Sequence, residues 1–285
     1  MRKANKAGSP SVPSKSSNLL PPRPSHPAHS SISSPSVLGG FPAGSLTSNL
    51  QNMNELNELD QLDHQLTLAI NGSDNLFWDN LMYTITDTFS WSIVIVALLI
   101  IIFKNNTWKE TVMVYVTLAL LIFVADRICS GWVKPTVARW RPAQDPQLMY
   151  FVDVVRNYRG GRFGFFSGHA CNTMCVAMFL SWLFRSPKVT VTLILWSLST
   201  TFTRLYLGVH YLGDVTVGFL IGAALGGLFY WLMERFVHPK VGLKRFISEQ
   251  FTSSGYLKSD MNTFMTIIFF NYICILIFAQ TLGIG

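Results

Sequence analysis

The sequence predicts an all-α protein, a polytopic membrane bundle of about six transmembrane helices preceded by an amphipathic interfacial helix. Of its 285 residues, 49% are hydrophobic and only 13% are charged, and the mean hydropathy is +0.33, which is too apolar for an ordinary soluble domain. The apolar residues also form long blocks, close to the roughly 20 residues that cross a bilayer core. Because lipid offers no partner for bare backbone groups, we expect these blocks to be helices.

Six apolar blocks follow one another along the chain. They are Thr88–Phe103, Thr111–Val133, Gly168–Phe184, Val189–Leu207, Leu212–Met233 and Thr263–Leu282. The net charge of +7 does not indicate nucleic-acid binding, because the cations lie in tails and in loops between the blocks. That distribution is typical of contact with anionic lipid and of orientation by positive charge. The bilayer is therefore the expected partner.

Composition divides the chain into three segments. Residues 1–52 are crowded with Ser and Pro and lack a periodic apolar face, so we predict a disordered tail. Two interpretations of this segment stay open, a translated low-complexity tail and a true start near Met53. Residues 53–235 are expected to form the membrane-embedded domain. Residues 236–285 are expected to form a cytoplasmic loop and an accessory C-terminal transmembrane helix.

An amphipathic pattern precedes the first block. Between Asn54 and Ile70, apolar residues recur at three- and four-residue steps, with Asn, Glu, Gln and His on the opposite face. This pattern predicts a helix that lies on the membrane surface or caps the bundle. A second interfacial segment, Leu76–Ile85, carries aromatic side chains suited to the headgroup level.

The charges of the loops predict an orientation. The loops after the first, third and fifth blocks carry Lys104 and Lys109, then Arg185 and Lys188, then Arg235, Lys240, Lys244, Arg245 and Lys258. Positive loops usually stay in the cytoplasm. The loops after the second and fourth blocks are therefore expected to face outward.

Three polar patches share this outer membrane edge. They are Lys134–Pro142 after the second block, Phe165–His169 at the start of the third, and Thr203–Asp214 between the fourth and fifth. Ionisable residues at such a depth are costly, so they are candidate functional groups.

The patches contain the elements of a phosphate site. Lys134, Arg141 and Arg204 supply three cations for an oxyanion, and each arginine can hold two oxygens at once. Ser167 and the backbone N–H of Gly168 stand where a helix begins, with free donors and a dipole that favours an anion. These five residues are the predicted phosphate-binding group.

The same patches contain a candidate nucleophile. His210 and Asp214 are four residues apart, so that on a helical turn the carboxylate can reach the imidazole. Such an acceptor fixes one ring nitrogen as N–H and leaves the other free to attack phosphorus. His169, from another block, can protonate the leaving oxygen and then activate water.

Together, Lys134-x6-Arg141-Pro142, Ser167-Gly168-His169 and Arg204-x5-His210-x3-Asp214 resemble the three-part signature of the type 2 phosphatidic acid phosphatase superfamily. Order, spacing and position between apolar blocks agree, over about Leu56 to Met233. The sequence departs at Phe166, where the family usually has Pro, and at Thr203, where it usually has Ser.

The resemblance implies a bacterial membrane lipid phosphatase that needs no metal or other cofactor. It implies that His210 is the nucleophile, Asp214 its partner and His169 the acid/base. Candidate substrates are undecaprenyl diphosphate, lipid A, and phosphatidylglycerol phosphate or phosphatidic acid, hydrolysed at the outer face of the cytoplasmic membrane. The alternatives left open are a lipid phosphotransferase on the same fold and a non-catalytic membrane protein that retains it.

The long outer loop adds a further expectation about the substrate. Between Pro142 and Ser167 it carries Arg156, Arg159 and Arg162. Snorkelling or solvated arginines are the commoner interpretation. If the three arginines instead contact a second phosphate, a diphosphate or bis-phosphorylated lipid is favoured.

Overall fold

The computed structural model describes residues 58–73, 75–237 and 249–282. The tail predicted to be disordered, residues 1–52, lies outside the described residues, as does most of the loop that follows Val237. Apart from two isolated bridges, Trp140–Phe163 and Phe251–Leu257, the regular structure of the described residues is helical. The predicted all-α class is confirmed.

Nine helices can be followed in the described residues. Their bounds are α1 58–70, α2 Leu76–Thr86, α3 Ser92–Asn105, α4 Trp108–Asp126, α5 Lys134–Val137, α6 Gly168–Phe184, α7 Pro187–Tyr206, α8 Leu212–Leu232 and α9 Lys258–Leu282. The predicted interfacial segments are α1 and α2, and the six predicted blocks are α3, α4, α6, α7, α8 and α9.

Four helical segments of the described residues are long and apolar enough to cross a bilayer, two fewer than the blocks we predicted. They are Thr88–Asn105, Trp108–Val137, Leu212–Val237 and Lys258–Thr281. Helix α6 has only 17 residues, most of them buried among other helices, and α7 buries a run of Ser, Thr and Arg side chains near its C-terminus. A helix that faces protein rather than lipid does not need to be apolar all round.

Helices α6 and α8 form the centre of the bundle and approach each other very closely. The small residues responsible are Gly218, Gly222 and Gly226, where an added Cβ would collide with the backbone carbonyls of Ser167, Cys171 and Cys175 respectively. Small residues at four-residue spacing are a common basis for such close packing in membranes. This contact fixes the start of α6 against the start of α8, where two of the three polar patches lie.

Two adjacent glycines provide a test of this packing. We expect Gly226→Ala to lower the free energy of unfolding of the purified protein by about 1–3 kcal/mol, the usual effect of overpacking a tight contact. We expect Gly227→Ala to leave it unchanged, because the nearest atom to its added Cβ is Trp182 Nε1 at 4.0 Å. Thermal unfolding in detergent measures both, and equal melting temperatures would contradict the packing argument.

The C-terminal end of α4 departs from regular α-helix. The segment Arg127–Val133 is π-helical and leads directly into the short helix α5. A π-helical turn shifts the register of the side chains that follow, and such turns are frequent at functional sites. Here the shift brings Lys134 towards the start of α6, where a Cβ on Gly168 would lie 3.7 Å from Lys134 Nζ.

Helix α1 caps the start of α8. Thr67 Oγ1 accepts a hydrogen bond from Leu212 N at 3.1 Å, and Asp63 Oδ1 accepts one from Gly213 N at 2.9 Å. These contacts satisfy N–H groups that a helix start leaves unpaired, and the Asp63 carboxylate is favourable there. The leucines of its other face, including Leu59 at 63% exposure, are directed away from the bundle, as an interfacial helix requires.

Candidate active site

His210 lies immediately before α8 and is almost completely buried. Burial lowers the pKa of its imidazole well below the ordinary value, and the positive charges of Arg141, Arg204 and Lys134 and the neighbouring His169 lower it further. The ring is therefore neutral at physiological pH. A neutral imidazole has one N–H and one free lone pair, and the neighbours of each nitrogen decide which is which.

The two neighbours of the ring define its tautomer. Arg141 Nη1 lies 3.2 Å from His210 Nε2, and a guanidinium can only donate. Nε2 must therefore be the acceptor, so the ring proton is on Nδ1, which lies 3.3 Å from Asp214 Oδ2. The lone pair of Nε2 faces a cation suited to binding an oxyanion.

Asp214 is buried and held from three sides. Its Oδ2 also accepts from Tyr211 N at 3.3 Å as part of a capping box at the start of α8, and its Oδ1 accepts from Arg139 Nη1 at 2.9 Å. The carboxylate thus reaches His210 from the first turn of α8, while the histidine itself precedes the helix. The two residues therefore do not share the helical turn that their four-residue spacing predicts.

Arg139 connects Asp214 to the N-terminal helix, and it was absent from the predicted site. Its Nη2 donates to Asp63 and to Asp60 on α1, both at 2.9 Å. Burial would lower the pKa of the guanidinium, but the charges of Asp214 and Asp63 outweigh it and raise the pKa. Its guanidinium also lies 4.1 Å from the ring centroid of Tyr211. The only sequence signal for this role was its position two residues before Arg141.

Three cations, Arg141, Arg204 and Lys134, act on the imidazole of His210. Arg204 is 1% exposed and Arg141 is 7% exposed; burial lowers the pKa of Arg141 to about 10, and the charge of Arg204 adds to the effect. None of the ion pairs among the described residues includes Arg141, Arg204 or Lys134. Buried positive charge without a counterion is costly, so this group favours the binding of an anion.

The two buried arginines keep unused donors. The Nε atoms of Arg141 and Arg204 are buried without a hydrogen-bond partner. Arg204 is held by Thr86 Oγ1 at 2.7 Å and by the Tyr158 hydroxyl at 3.2 Å. Burial would raise the pKa of Tyr158, but Arg204, Arg141 and Lys134 together lower it. Tyr158 lies in the outer loop, and no local sequence signal indicated its position.

The start of α6 completes the anion-binding side. Ser167 caps the helix by accepting from Ala170 N at 3.4 Å, and its own N–H donates to Asp214 O at 3.0 Å. Gly168 follows as the first helical residue, with Lys134 beside it. His169 is half-buried on the same turn. The structure therefore brings the eight predicted site residues to one end of the bundle.

The three arginines of the outer loop bind protein groups. Arg156 Nη2 donates to Asn80 Oδ1 at 2.5 Å, and Arg159 Nη1 donates to Ala143 O at 2.6 Å. Arg162 lies over the rings of Trp140 and Phe163. These contacts agree with a structural role for the three side chains, which was the commoner of our two interpretations.

Comparison with known proteins identifies relatives of the chain. A family model described as PAP2 superfamily matches residues 112–237. The lipid A 4′-phosphatase of Bacteroides thetaiotaomicron is 38% identical over 172 residues, which cover 60% of this chain and 76% of that protein. The lipid A 4′-phosphatase of Porphyromonas gingivalis is 33% identical over 167 residues, covering 58% and 70%.

Among solved structures, the PAP2-type phosphatidylglycerolphosphate phosphatase from Bacillus subtilis aligns with a TM-score of 0.49 and 23% identity. The alignment covers 67% of this chain and 90% of that one.

The family model spans the three polar patches, and the two relatives are aligned over more than two thirds of their length. Both relatives are bacterial phosphatases, and the described helices include four that can cross a bilayer. On these findings the chain belongs to the PAP2 superfamily and is a bacterial membrane lipid phosphatase, a hydrolase of phosphoric ester bonds.

Proposed function

We propose that the enzyme removes the 4′-phosphate of lipid A at the outer face of the cytoplasmic membrane, through a phosphohistidine at His210. The observation that carries the mechanism is the fixed tautomer of His210, whose Nε2 lone pair faces Arg141. The substrate is supported by the two relatives, both lipid A 4′-phosphatases.

The orientation is supported by the distribution of charge along the bundle. Lys104, Lys109, Arg185 and Lys188 lie at helix ends opposite to the site. Positive charge marks the cytoplasmic side, so the site faces outward.

In the first step, a phosphate monoester sits among the three cations and the N–H groups at the start of α6. Nε2 of His210 attacks phosphorus, a P–N bond forms, and the ester P–O bond breaks. Burial and the positive charges of Arg204, Lys134 and Arg141 lower the pKa of His169 to about 3. The bound phosphate dianion offsets these charges, so that His169 is protonated in the complex and gives its proton to the leaving alcohol oxygen. The positive charge that develops on the imidazole is stabilised by Asp214 through Nδ1–H.

In the second step, water replaces the alcohol. His169, now neutral, takes a proton as the water oxygen attacks phosphorus, and the P–N bond breaks. Inorganic phosphate leaves, and His210 returns to the neutral form with its proton on Nδ1. If an acceptor lipid attacked the phosphohistidine in place of water, the enzyme would be a phosphotransferase.

A lipid panel tests the substrate. Purified enzyme is given bis-phosphorylated lipid A, its 1-phosphate and 4′-phosphate monophosphoryl forms, undecaprenyl diphosphate, and phosphatidylglycerol phosphate, each with and without an added lipid alcohol as acceptor. We expect free phosphate from the bis-phosphorylated and 4′-phosphate forms, and the 1-phosphate form to remain intact. Preference for another lipid would overturn the assignment to lipid A, and phosphate transferred to the acceptor would identify a phosphotransferase.

The Arg139 contacts predict a positioning role that is separable from substrate binding. Arg139→Ala should lower kcat by about 10- to 100-fold, as observed when partners that orient a metal-bound histidine are removed, while KM changes little because Arg139 faces Asp214 rather than phosphate. Arg127→Ala is the matched control, since Arg127 is exposed, pairs with its neighbour Asp126 at 3.4 Å and lies over the ring of Phe123. Unchanged kcat per folded molecule in Arg139→Ala would contradict this role.

A further inference from the structure

The outer loop contacts both buried arginines of the candidate active site. A Cβ added at Gly160 would lie 2.7 Å from Arg141 Nη1, so the loop backbone packs directly on this guanidinium. Two residues earlier, the hydroxyl of Tyr158 lies 3.2 Å from Arg204 Nη2. We call residues 158–161 the strap. Because the strap contacts both arginines, it forms one wall of the space in which the substrate phosphate is expected.

A side chain close to the first polar patch holds the strap. Gln144 Nε2 lies within hydrogen-bond distance of three successive strap carbonyls, those of Arg159 at 3.1 Å, Gly160 at 3.2 Å and Gly161 at 3.1 Å. The Arg159 side chain donates to Ala143 O at 2.6 Å. Gln144 follows the first patch by two residues, so the strap is fixed to the segment that carries Arg141.

The backbone before the strap turns Tyr158 towards the site. Arg156 and Asn157 have φ values of 51° and 56°, in the left-handed region that residues other than glycine seldom adopt. Such a conformation persists where surrounding contacts hold it, and it is common at functional sites. Here the Tyr158 ring packs edge-on against Tyr83, with centroids 6.0 Å apart. The position of the Tyr158 hydroxyl is therefore set by the strap and by Tyr83 as well as by Arg204.

The Tyr158 hydroxyl has a hydrogen to donate. A guanidinium can only donate, so the phenol oxygen is the acceptor in the contact with Arg204. Within the described part of the chain, this contact is the one hydrogen bond of the Tyr158 hydroxyl, and its own hydrogen has no acceptor. Unlike Arg204, which is 1% exposed, Tyr158 is only partly buried, so its side chain has surface open to a ligand.

A phosphate bound by Arg204 would lie beside this hydroxyl. An oxygen in a charge-assisted hydrogen bond lies about 2.7–2.9 Å from a guanidinium nitrogen, and the phenol oxygen is 3.2 Å from the same guanidinium. Burial raises the pKa of Tyr158, and the charges of Arg204, Arg141 and Lys134 lower it by more. A phosphate dianion offsets these charges, so the hydroxyl keeps its hydrogen in the complex.

We propose that Tyr158 is a further catalytic residue, whose hydroxyl donates to an oxygen of the bound phosphate while accepting from Arg204. The proposal rests on the lipid phosphatase function and adds a substrate contact from outside the three polar patches. A donor that the strap holds in place needs no reorganisation as charge develops on the phosphate oxygens. Tyr158 therefore stabilises the transition state as well as the bound substrate.

Three conservative variants test the contact, with the full-length enzyme in detergent and an aryl phosphate as substrate. Tyr158→Phe keeps the ring and removes the hydroxyl, and we expect kcat/KM to fall about 10- to 100-fold, the usual effect of losing a hydrogen bond to a charged group. Tyr150→Phe, at an 80% exposed tyrosine of the same loop, should match wild type. Thr86→Val removes the other side chain that holds Arg204, at 2.7 Å from Nη1, and should lose only a few fold.

The comparison of Tyr158→Phe with Thr86→Val separates substrate contact from support of Arg204. If Tyr158 only held Arg204, loss of the shorter Thr86 hydrogen bond would be at least as damaging. A Thr86→Val loss that equals or exceeds the Tyr158→Phe loss would therefore overturn the proposal. Tyr158→Phe activity within twofold of wild type would overturn it as well.

Inorganic phosphate provides a readout that needs no turnover. Its dissociation constant, measured by isothermal titration calorimetry, should rise about 10-fold in Tyr158→Phe and stay unchanged in Tyr150→Phe. Equal constants for wild type and Tyr158→Phe would overturn the contact and leave the phosphatase function intact. If wild type binds phosphate but hydrolyses neither lipid nor aryl phosphate, the proposed function fails instead, and the two dissociation constants still decide whether Tyr158 binds phosphate.

Discussion

His210→Gln should lower phosphate release by at least about 1,000-fold, the scale of loss when a covalent nucleophile is removed. Glutamine preserves much of the side-chain volume and can still hydrogen-bond to Asp214, but it cannot form a phosphohistidine. Binding of the phosphorylated lipid should persist, because Arg141, Arg204 and Lys134 remain. The measurement is kcat on the preferred lipid, with folded protein quantified by size-exclusion chromatography.

Activity within a few fold of wild type in a folded His210→Gln protein would contradict the assignment of His210. His64→Gln is the histidine control, since His64 stacks on Tyr211 at 5.0 Å and lies 3.4 Å from the exposed Asp60, and it is not a predicted site residue. Its activity should stay close to that of wild type.

Arg204→Gln should lower kcat/KM by about 100- to 1,000-fold, the usual effect of losing one preorganised donor to a developing oxyanion. Arg204 is 1% exposed and has an unpaired Nε, so its charge is available to phosphate in a site from which water is largely excluded. Arg204→Lys keeps the charge but loses the planar pair of donors, and we expect it to recover only part of the activity.

The control for Arg204 is an arginine at the opposite end of the bundle. Arg185 donates to the Tyr230 hydroxyl at 3.0 Å, far along α6 from the site, so Arg185→Gln should retain activity per folded molecule. Equal losses in the Arg204 and Arg185 variants would show that a general loss of stability, rather than phosphate binding, explains the effect.

The sequence predicted the helices and the convergence of the three motifs well, because both depend on local patterns. Apolar blocks of membrane length must be helical, and motifs placed at the same ends of antiparallel helices must meet. The spacing of His210 and Asp214 predicted their contact, although the capping box of α8, rather than a shared helical turn, creates it.

Features that depend on tertiary packing were not predictable from the sequence. Arg139 gains its role only because α1 places Asp63 beside the start of α8, and Tyr158 reaches Arg204 from a loop without regular structure. Four of the six predicted blocks form described helices with the length and apolarity of a membrane span, because α6 has only 17 residues and α7 carries buried polar residues that face other helices. A cavity below His169 is lined by residues of six helices and has no sequence signature.

Trapping the covalent intermediate provides a direct test of the phosphohistidine mechanism. The His169→Ala variant is mixed with an aryl phosphate, whose leaving group needs no protonation, quenched in alkali, and mapped by mass spectrometry. We predict that the phosphoryl group accumulates on His210, because hydrolysis of the P–N bond stalls without its base. A burst of the phenol with the phosphoryl group on any other residue would contradict the phosphohistidine mechanism. Steady release of the phenol and inorganic phosphate with no phosphorylated histidine would also contradict it.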